Sequence, residues 1–369
     1  MRWPWKRQDS NTRLVVSWSG QTLAYVLARA GTDGAHQVLK FGVERQGTDS
    51  MDDFVRRLQA LGLKGLHARV MLRPEQYRFL LIDAPAVPSE ELRSATRYQI
   101  KSLLKAHVDD VTLDVMRAGD GQQENGAGQL FVVAAANTVV REVIALSDAM
   151  HWNVAVIDIQ ETAQRNLQSA LAGRDGGAGR ANAALVLLDG HPTLLTISAN
   201  EELFYTRRFN LPDGFLVASW GDGSDAPGES AVSIESFAPV GDYVPGNSDY
   251  SVAGASYGDS YTHRHTALPS TVAVGAGDDD KAQRFLMEVQ RSLDFWSRYW
   301  PSMPLGGVRV YAGERSEELS TWLGVQLGQM VLPMNVSGLF PGFEGGVESD
   351  KALCLPLLGV LMRTNGRKP

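Results

Sequence analysis

The stretch from residue 154 to residue 197 constrains the fold more than any other part of the sequence. Its apolar and glycine spacing predicts a strand, a helix, a glycine-rich break and two further strands: Val154–Asp158, Gln160–Leu171, Gly173–Gly179, Ala184–Asp189 and Thr193–Ser198. Gly190 lies where the last two strands would turn, so these strands are expected to form a hairpin. The pattern therefore predicts a second domain that opens with a β-hairpin directly after a helix.

A hairpin of the same kind is predicted near the N-terminus. Leu14–Ser17 and Leu23–Arg29 have the composition of strands, and Trp18–Gln21 between them form the tip. A chain of 369 residues is too long for one simple core. The two hairpins therefore predict two domains, each of which opens with a hairpin.

The composition is that of an ordinary globular protein. Apolar residues make up 44% of the chain and charged residues 21%. The net charge of -7 argues against bulk binding of nucleic acid, which requires a basic face. The single cysteine, Cys354, allows no internal disulfide, and its apolar neighbours predict a small buried side chain rather than a nucleophile. This cysteine usage favours a reducing cytoplasm.

The first seven residues leave two interpretations open. Trp3 and Trp5 stand among three cations, and aromatic rings and cations are both favourable in a lipid headgroup layer. One expectation is a weak peripheral contact with a membrane through these tryptophans, and the other is a frayed or locally packed terminus. No run of residues approaches the roughly 18 apolar residues that a membrane-spanning helix requires.

Residues 84–152 predict an inserted block with the order αββα. Ser89 is expected to cap a helix whose first turn carries two glutamates, which suit the helix dipole. Two strands and a helix with one apolar side follow: Val111–Arg117, Gln129–Ala136 and Thr138–Met150. The block is compact enough to form a subdomain of its own.

The second half of the chain contains an acidic stretch at about residues 221–277. Between Phe209 and His263 there are eight acidic residues and no Lys or Arg, which predicts a flexible, solvated insertion, with an acidic binding loop as the alternative. Regular elements then resume as a helix, a strand and two helices: Lys281–Trp300, Val308–Ala312, Glu317–Leu327 and Ala352–Met362. Asp278–Asp280 fit N-terminal capping of the first helix better than a magnesium site.

Common catalytic signatures do not explain the chain. It has neither the Gly-x-x-x-x-Gly-Lys-Ser/Thr phosphate loop nor a Gly-x-Gly-x-x-Gly turn after a strand. The only close histidine pair, His263 and His265, lies in the acidic stretch, and the sequence supplies no further ligands for it. No metal site and no catalytic residue is therefore predicted from local motifs.

The order of the elements resembles that of actin-like proteins, and within them the PilM-type proteins of type IV pilus assembly. The chain is most similar to the MshI-type members from biogenesis of the mannose-sensitive haemagglutinin (MSHA) pilus. Four segments carry the resemblance, and their order is its specific part: Pro88–Ile100, Val108–Asp114, Val156–Glu161 and Glu288–Trp296. It covers nearly the whole chain except the acidic stretch.

The resemblance implies an α/β, actin-like two-domain fold with an inserted αββα subdomain. The implied units are an N-terminal tail (1–10), domain I in three pieces (11–83, 153–180 and 346–369), the inserted subdomain (84–152), and domain II with its acidic insertion (181–345). In family members that bind nucleotide, the two hairpin tips hold the phosphates.

Both hairpin tips depart from the pattern of the nucleotide-binding members. Ser17 stands where the resemblance expects an aspartate, and Ser19 or Gly20 stands at the expected glycine. In the second hairpin Leu188 replaces an aspartate, and Asp189 would point to the other face of the strand unless the hairpin is shifted by one residue. Without a carboxylate to organise a metal ion, phosphoryl transfer loses its charge neutralisation.

The resemblance therefore implies a scaffold at the cytoplasmic face of the inner membrane, with a degenerate nucleotide site and no cofactor. Such a scaffold would bind the cytoplasmic tail of a PilN-like bitopic inner-membrane protein, and other pilus assembly proteins, with residues 84–152 contributing to the groove. The alternative is an ATP-switched protein that binds ATP and magnesium, and a sugar or small-molecule kinase is a third class. The candidate nucleotide contacts are Ser17, Ser19, Gly20, Gly190, Thr193, Glu288, Arg291 and Gly313.

Overall fold

The computed structural model describes residues 11–31, 35–104, 107–119, 128–177, 179–220 and 277–363. Its strands are β1 (Thr12–Ser19), β2 (Thr22–Ala30), β3 (His36–Arg45), β4 (His67–Leu72), β5 (Tyr77–Asp83), β6 (Val111–Arg117), β7 (Gln129–Ala136), β8 (Asn153–Ile159), β9 (Ala181–Val186), β10 (Thr193–Ala199), β11 (Glu202–Phe209), β12 (Leu305–Tyr311) and β13 (Val331–Pro333). Its helices are α1 (Met51–Ala60), α2 (Leu92–Gln99), α3 (Asn137–Ala149), α4 (Gln160–Arg174), α5 (Asp278–Tyr299), α6 (Ser316–Leu327) and α7 (Glu348–Leu361). The predicted tail with Trp3 and Trp5, and the acidic insertion apart from Gly277, lie outside the described residues.

Two five-stranded sheets with the same plan define two domains. The strand order is β3-β2-β1-β4-β8 in the first sheet and β11-β10-β9-β12-β13 in the second. In each sheet the first three strands pair antiparallel with one another, and the last two run parallel to the central, third strand. The predicted hairpins are the pairs β1–β2 and β9–β10, which occupy equivalent positions in the two sheets.

Successive residues of the central strands face two different cores. In β9, Ala183 and Leu185 pack in the core that contains α5 and α6, whereas Ala184 and Val186 pack in a core shared by the two domains. Val15 of β1 faces the same shared core. Because both faces of these strands are covered, their sequences are almost continuously apolar.

The helices α4 and α7 build the shared core by crossing between the domains. α4 follows β8 of the first sheet but packs against β9, β10 and β11 of the second. The amide of its Gln164 donates hydrogen bonds of 3.0 Å to the carbonyl oxygens of Ala184 and Leu194. α7 packs instead against β1, β2 and β3. Residues 153–180 therefore join the two domains and do not belong to domain I alone.

The inserted subdomain is larger than the sequence predicts. Its sheet has the order β5-β7-β6, and β5 pairs with β7 along its whole length, from Tyr77 opposite Ala135 to Asp83 opposite Gln129. The predicted start at residue 84 is thus too late, because strand pairing over some fifty residues leaves no local signal. Ser89 does not cap the first helix either, since α2 begins at Leu92 after a turn.

The helices of domain II follow their local signals more closely. α6 ends at Leu327, where the sequence predicts, and is followed by Gly328, which has a φ of 60° and acts as the C-cap. α5 begins at Asp278, earlier than the predicted Lys281, because the three aspartates form its first turn. Within the described ranges, no helix has the length and apolar character needed to cross a bilayer.

Candidate functional site

A cavity of about 380 Å³ lies where the two domains and the inserted subdomain meet. The first domain lines it with Ser17 of β1 and with Arg73, which follows β4. The second domain contributes Leu188 from the turn after β9 and Arg208 from β11, and α4 contributes Glu161. Its volume lies in the range of small-molecule sites, about 300–1,000 Å³.

The most buried polar groups of the cavity form one ionic network. The guanidinium of Arg208 donates to the carboxylate of Glu161 at 2.9 and 3.1 Å, and to the side-chain oxygen of Gln160 at 3.1 Å. The hydroxyl of Tyr77 donates to the same carboxylate and accepts from Arg208 at 3.2 Å. The network therefore connects β11 of domain II, α4 and β5 of the inserted subdomain.

Burial determines the chemistry of this network. The side chains of Arg208 and Glu161 are 7% and 3% exposed, so each charge depends on the other for compensation. Burial raises the pKa of Tyr77 well above its usual value, and the charge of Glu161 adds to the effect. Tyr77 therefore stays neutral and supplies a hydrogen-bond donor that Glu161 requires.

Side chains from the segment after β4 occupy the tip of the first hairpin. Arg73 Nε donates to the hydroxyl of Ser17 at 3.4 Å, and Arg73 Nη2 donates to the carbonyl oxygen of Thr22 at 3.2 Å. The hydroxyl of Ser19 donates to the carboxylate of Glu75 at 2.6 Å. Burial lowers the pKa of Arg73, but a guanidinium remains charged at neutral pH. A cation thus lies beside the position where an aspartate was expected.

The tip of the second hairpin presents an apolar surface to the cavity. Leu188, His191 and Pro192 line it, whereas Asp189 is exposed to solvent and is not part of the lining. The backbone N–H of His191 donates to the carbonyl oxygen of Leu188 at 3.1 Å, which closes the turn around Gly190. The hairpin therefore directs Leu188 rather than Asp189 to the cavity, a choice of register that the sequence leaves open.

Four other predicted contacts are not among the residues that line the cavity: Gly20, Gly190, Thr193 and Gly313. Gly20 and Gly190 have φ values of 60° and 68° and form the two turns. Thr193 is fully buried, and its hydroxyl has no hydrogen-bond partner among the described residues. Gly313 lies beside Glu348 at the start of α7, where a Cβ atom would approach the Glu348 carboxylate to 3.1 Å.

The two candidates on α5 are separated from the cavity by the second sheet. Glu288 forms ion pairs with Arg207 of β11 and with Arg291, the latter at 3.1 Å. Arg207 and Arg208 are consecutive residues of one strand, so their side chains point to opposite faces of the sheet. Because Arg208 lines the cavity, Glu288 and Arg291 lie on the other face.

Most residues of the cavity were not among the candidates, including the charged residues Arg73, Glu161 and Arg208. Arg73 follows β4 and Arg208 lies near the end of β11, and the roles of both depend on partners far away in the sequence. Glu161 belongs to one of the segments that carry the family resemblance, which gave no role for its carboxylate. One local signal could have indicated a buried charge: two consecutive arginines lie in the otherwise largely apolar strand β11, so one of them must point to each face of the sheet.

The residues of the cavity do not fit a magnesium-nucleotide site. Magnesium is usually held by one or two carboxylates together with phosphate oxygens and water. Of the two carboxylates in the lining, Glu161 is held by Arg208 and Tyr77, and Glu75 accepts a hydrogen bond from Ser19. In the part of the chain that the structure describes, no group of three or more His, Cys, Asp or Glu residues is placed to bind a metal ion.

Comparisons with known proteins identify the fold. No family model and no curated protein matches the sequence. Among solved structures, a chain of a PilM–PilN type IV pilus biogenesis complex is 16% identical, with a TM-score of 0.57, and the match covers 94% of this chain and 98% of that one. A similarity at 16% identity supports a shared fold alone. The chain therefore has an actin-like, two-domain α/β fold, as the sequence predicts.

Two further structures are less similar. The cytoplasmic domain of EpsL, an inner-membrane component of the type II secretion system of Vibrio cholerae, is 16% identical and has a TM-score of 0.39, with 59% of this chain and 79% of that one covered. A protein of unknown function from Bacteroides thetaiotaomicron with an actin-like ATPase fold is 7% identical and has a TM-score of 0.41, with 89% and 94% covered. Similarities this low add nothing to what is known of the chain.

Proposed function

We propose that this protein is a scaffold of type IV pilus biogenesis, of the MSHA type, at the cytoplasmic face of the inner membrane. It would bind the cytoplasmic tail of a PilN-like bitopic inner-membrane protein. The order of the family-like segments supports this proposal, as does the similarity in fold to a chain of the PilM–PilN complex over nearly the whole length. Because a fold does not give a function by itself, the choice between scaffold and enzyme depends on the cleft.

The observation that carries the proposal is the loss of metal-organising groups from both hairpin tips. Leu188 presents an apolar side chain to the cavity, and Arg73 places a cation beside Ser17. A metal-assisted transfer of a phosphoryl group requires the opposite charge at these positions. A degenerate nucleotide site on an intact fold is the arrangement expected of a scaffold.

The tail-binding region is proposed to lie where the inserted subdomain meets the first sheet. Ile144 of α3 is 50% exposed, and Ile157 of β8 is 39% exposed. Ile157 pairs with Val70, which packs in the same core as Val143 of α3, so both isoleucines lie on the α3 side of the sheet. β8 is the edge strand of this sheet and can accept an extended peptide.

Binding of a labelled tail peptide, measured by fluorescence anisotropy, tests the proposal. Ile144→Asp and Ile157→Asp are expected to weaken binding at least tenfold, because each places a charge in an apolar contact. Met330→Asp is the matched control, since Met330 is 59% exposed but lies in domain II. Absence of binding to the wild-type protein, or equal weakening by all three changes, would contradict the proposal.

The alternative is an ATP-switched protein. The observation in its favour is that both hairpins keep a tight turn with a glycine at positive φ, Gly20 and Gly190. Backbone N–H groups at such turns can hold phosphate oxygens. This alternative requires that magnesium strengthens nucleotide binding.

A further inference from the structure

We propose that the cavity between the domains binds a small organic anion, phosphate or carboxylate, through Arg73 and without a divalent metal ion. The inference concerns the cavity itself and does not depend on the pilus role.

The lining of the cavity contains one more cation than carboxylates, since Arg73, Arg78 and Arg208 stand against Glu75 and Glu161. Arg208 is paired with Glu161, whereas Glu75 accepts a hydrogen bond from Ser19 and keeps its charge, which favours the charged form of Arg73 without an ion-pair contact. Arg73 forms no ion pair with any residue that the structure describes, and its two hydrogen bonds go to the neutral oxygens of Ser17 and Thr22. A guanidinium has five N–H donors, so donors of Arg73 remain for an incoming anion.

The walls around Arg73 are suited to the apolar body of a small molecule. Val186, Leu188 and Pro192 of the second hairpin line the cavity, and Leu353 and Pro356 of α7 add further apolar surface. A site of about 380 Å³ with apolar walls and a few polar groups is the usual form of a ligand pocket. The walls thus accept an organic group while Arg73 holds its charged end.

The same arrangement makes a metal ion unnecessary. A magnesium ion neutralises phosphate charge in nucleotide sites, but here the guanidinium already supplies a positive charge. Arginine binds phosphate and carboxylate groups in the same bidentate manner, so these two classes of anion share one chemistry. Ser17 fixes the guanidinium at 3.4 Å and leaves the charge of Arg73 in place, as an aspartate at that position would not.

Calorimetric titration with three probes tests the proposal: ADP, pyrophosphate and citrate, each in EDTA and again with magnesium. At least one probe is expected to bind saturably in EDTA, and magnesium is expected to change its affinity less than twofold. Pyrophosphate and citrate distinguish the phosphate from the carboxylate class. Arg73→Gln should weaken the bound probe at least tenfold, whereas Arg298→Gln, which removes an exposed arginine from α5, should not.

Folding of the variants is followed by circular dichroism and thermal melting. If Arg73→Gln does not fold, Arg73→Lys replaces it, because it keeps the charge but loses the planar fork and should weaken binding several-fold. Three results would overturn the proposal: no binding of any probe in EDTA, binding that requires magnesium, or unchanged affinity in the folded Arg73 variant. None of these results depends on tail binding, so the scaffold proposal stands or falls separately.

Discussion

Gly359 of α7 lies directly against the backbone of Ala163 of α4. A Cβ atom at Gly359 would lie 1.9 Å from the carbonyl oxygen of Ala163, far inside van der Waals contact. Asn166 Nδ2, one turn further along α4, donates to the carbonyl oxygen of Gly359 at 3.1 Å. The two helices that join the domains therefore cross in backbone contact, which a side chain at Gly359 would prevent.

Gly359→Ala is accordingly expected to destabilise the protein. The added methyl group forces α4 and α7 apart, and overpacking of this kind costs about 1–3 kcal/mol of unfolding free energy, or more. Urea denaturation measures the change. Gly324→Ala in α6 is the control, because its Cβ would lie an ordinary 3.5 Å from the nearest atom, the Gln329 carbonyl oxygen, and alanine favours a helix. Equal effects of the two changes would contradict the close crossing.

Glu161→Gln is expected to destabilise the fold through the buried network. The change removes the carboxylate that pairs with the buried guanidinium of Arg208, and breaking a buried pair costs about 3–5 kcal/mol of unfolding free energy. The control is Asp114→Asn, which breaks the exposed pair between Asp114 and Arg93, with side chains 69% and 62% exposed. Exposed pairs contribute about 0–1 kcal/mol. If both variants lose the same small amount in denaturation, the network does not hold the domains together.

The stability of the protein is expected to fall at alkaline pH, in part because of Tyr25. Burial, and then the charge of Glu44, raise the pKa of Tyr25 from 10.0 to about 12. The unfolded chain therefore loses this proton first, so the contribution of Tyr25 is complete below pH 10 and is lost as the pH rises to about 12.

Tyr25→Phe tests this pH dependence. Between pH 10 and pH 12 the variant should lose less unfolding free energy than the wild-type protein, because it has no phenol to ionise at this position. The difference between the two proteins at pH 7 is the reference, since the phenol of Tyr25 in the wild-type protein is neutral at that pH. Identical slopes in denaturation experiments across this range would show that Tyr25 has the same proton affinity in the folded and unfolded chain.

Leu188→Asp is expected to create a magnesium-dependent component of nucleotide binding. It restores the carboxylate that the resemblance expects at the second hairpin, in a position that already faces the cavity. Leu188→Asn has nearly the same shape without the charge and is the matched control. Calorimetry with ATP, with and without magnesium, should show a gain from magnesium in the aspartate variant alone. A gain in the wild-type protein would favour the ATP-switched alternative.

Local patterns in the sequence predict much of the fold, but not the pairing of its strands. β6 and β7 have the predicted bounds, because apolar residues alternate in β6 and form one continuous short run in β7. β3 and β11 were not predicted, since charged residues such as Glu44 and Arg207 interrupt their apolar pattern. They become strands by pairing with β2 and β10 in the folded sheets. The pairing of β5 with β7 was not predicted for the same reason, namely that strand pairing leaves no local signal in the sequence.

The residues of the cavity also divide into those that local patterns indicate and those that they do not. The hairpin turns directed attention to Ser17 and Leu188, and both line the cavity. The groups that decide its chemistry are paired over long distances in the chain, as Glu161 is with Arg208, 47 residues away. Such pairs depend on how the two domains meet, which no local spacing of residues records.

The affinity of the wild-type protein for the tail peptide of a PilN-like partner, measured with and without ATP and magnesium, tests the central claim most directly. A scaffold with a degenerate nucleotide site should bind the tail in the absence of nucleotide, and the dissociation constant should remain the same within twofold when ATP and magnesium are added. No binding under either condition, or binding that appears only with ATP and magnesium, would contradict the scaffold.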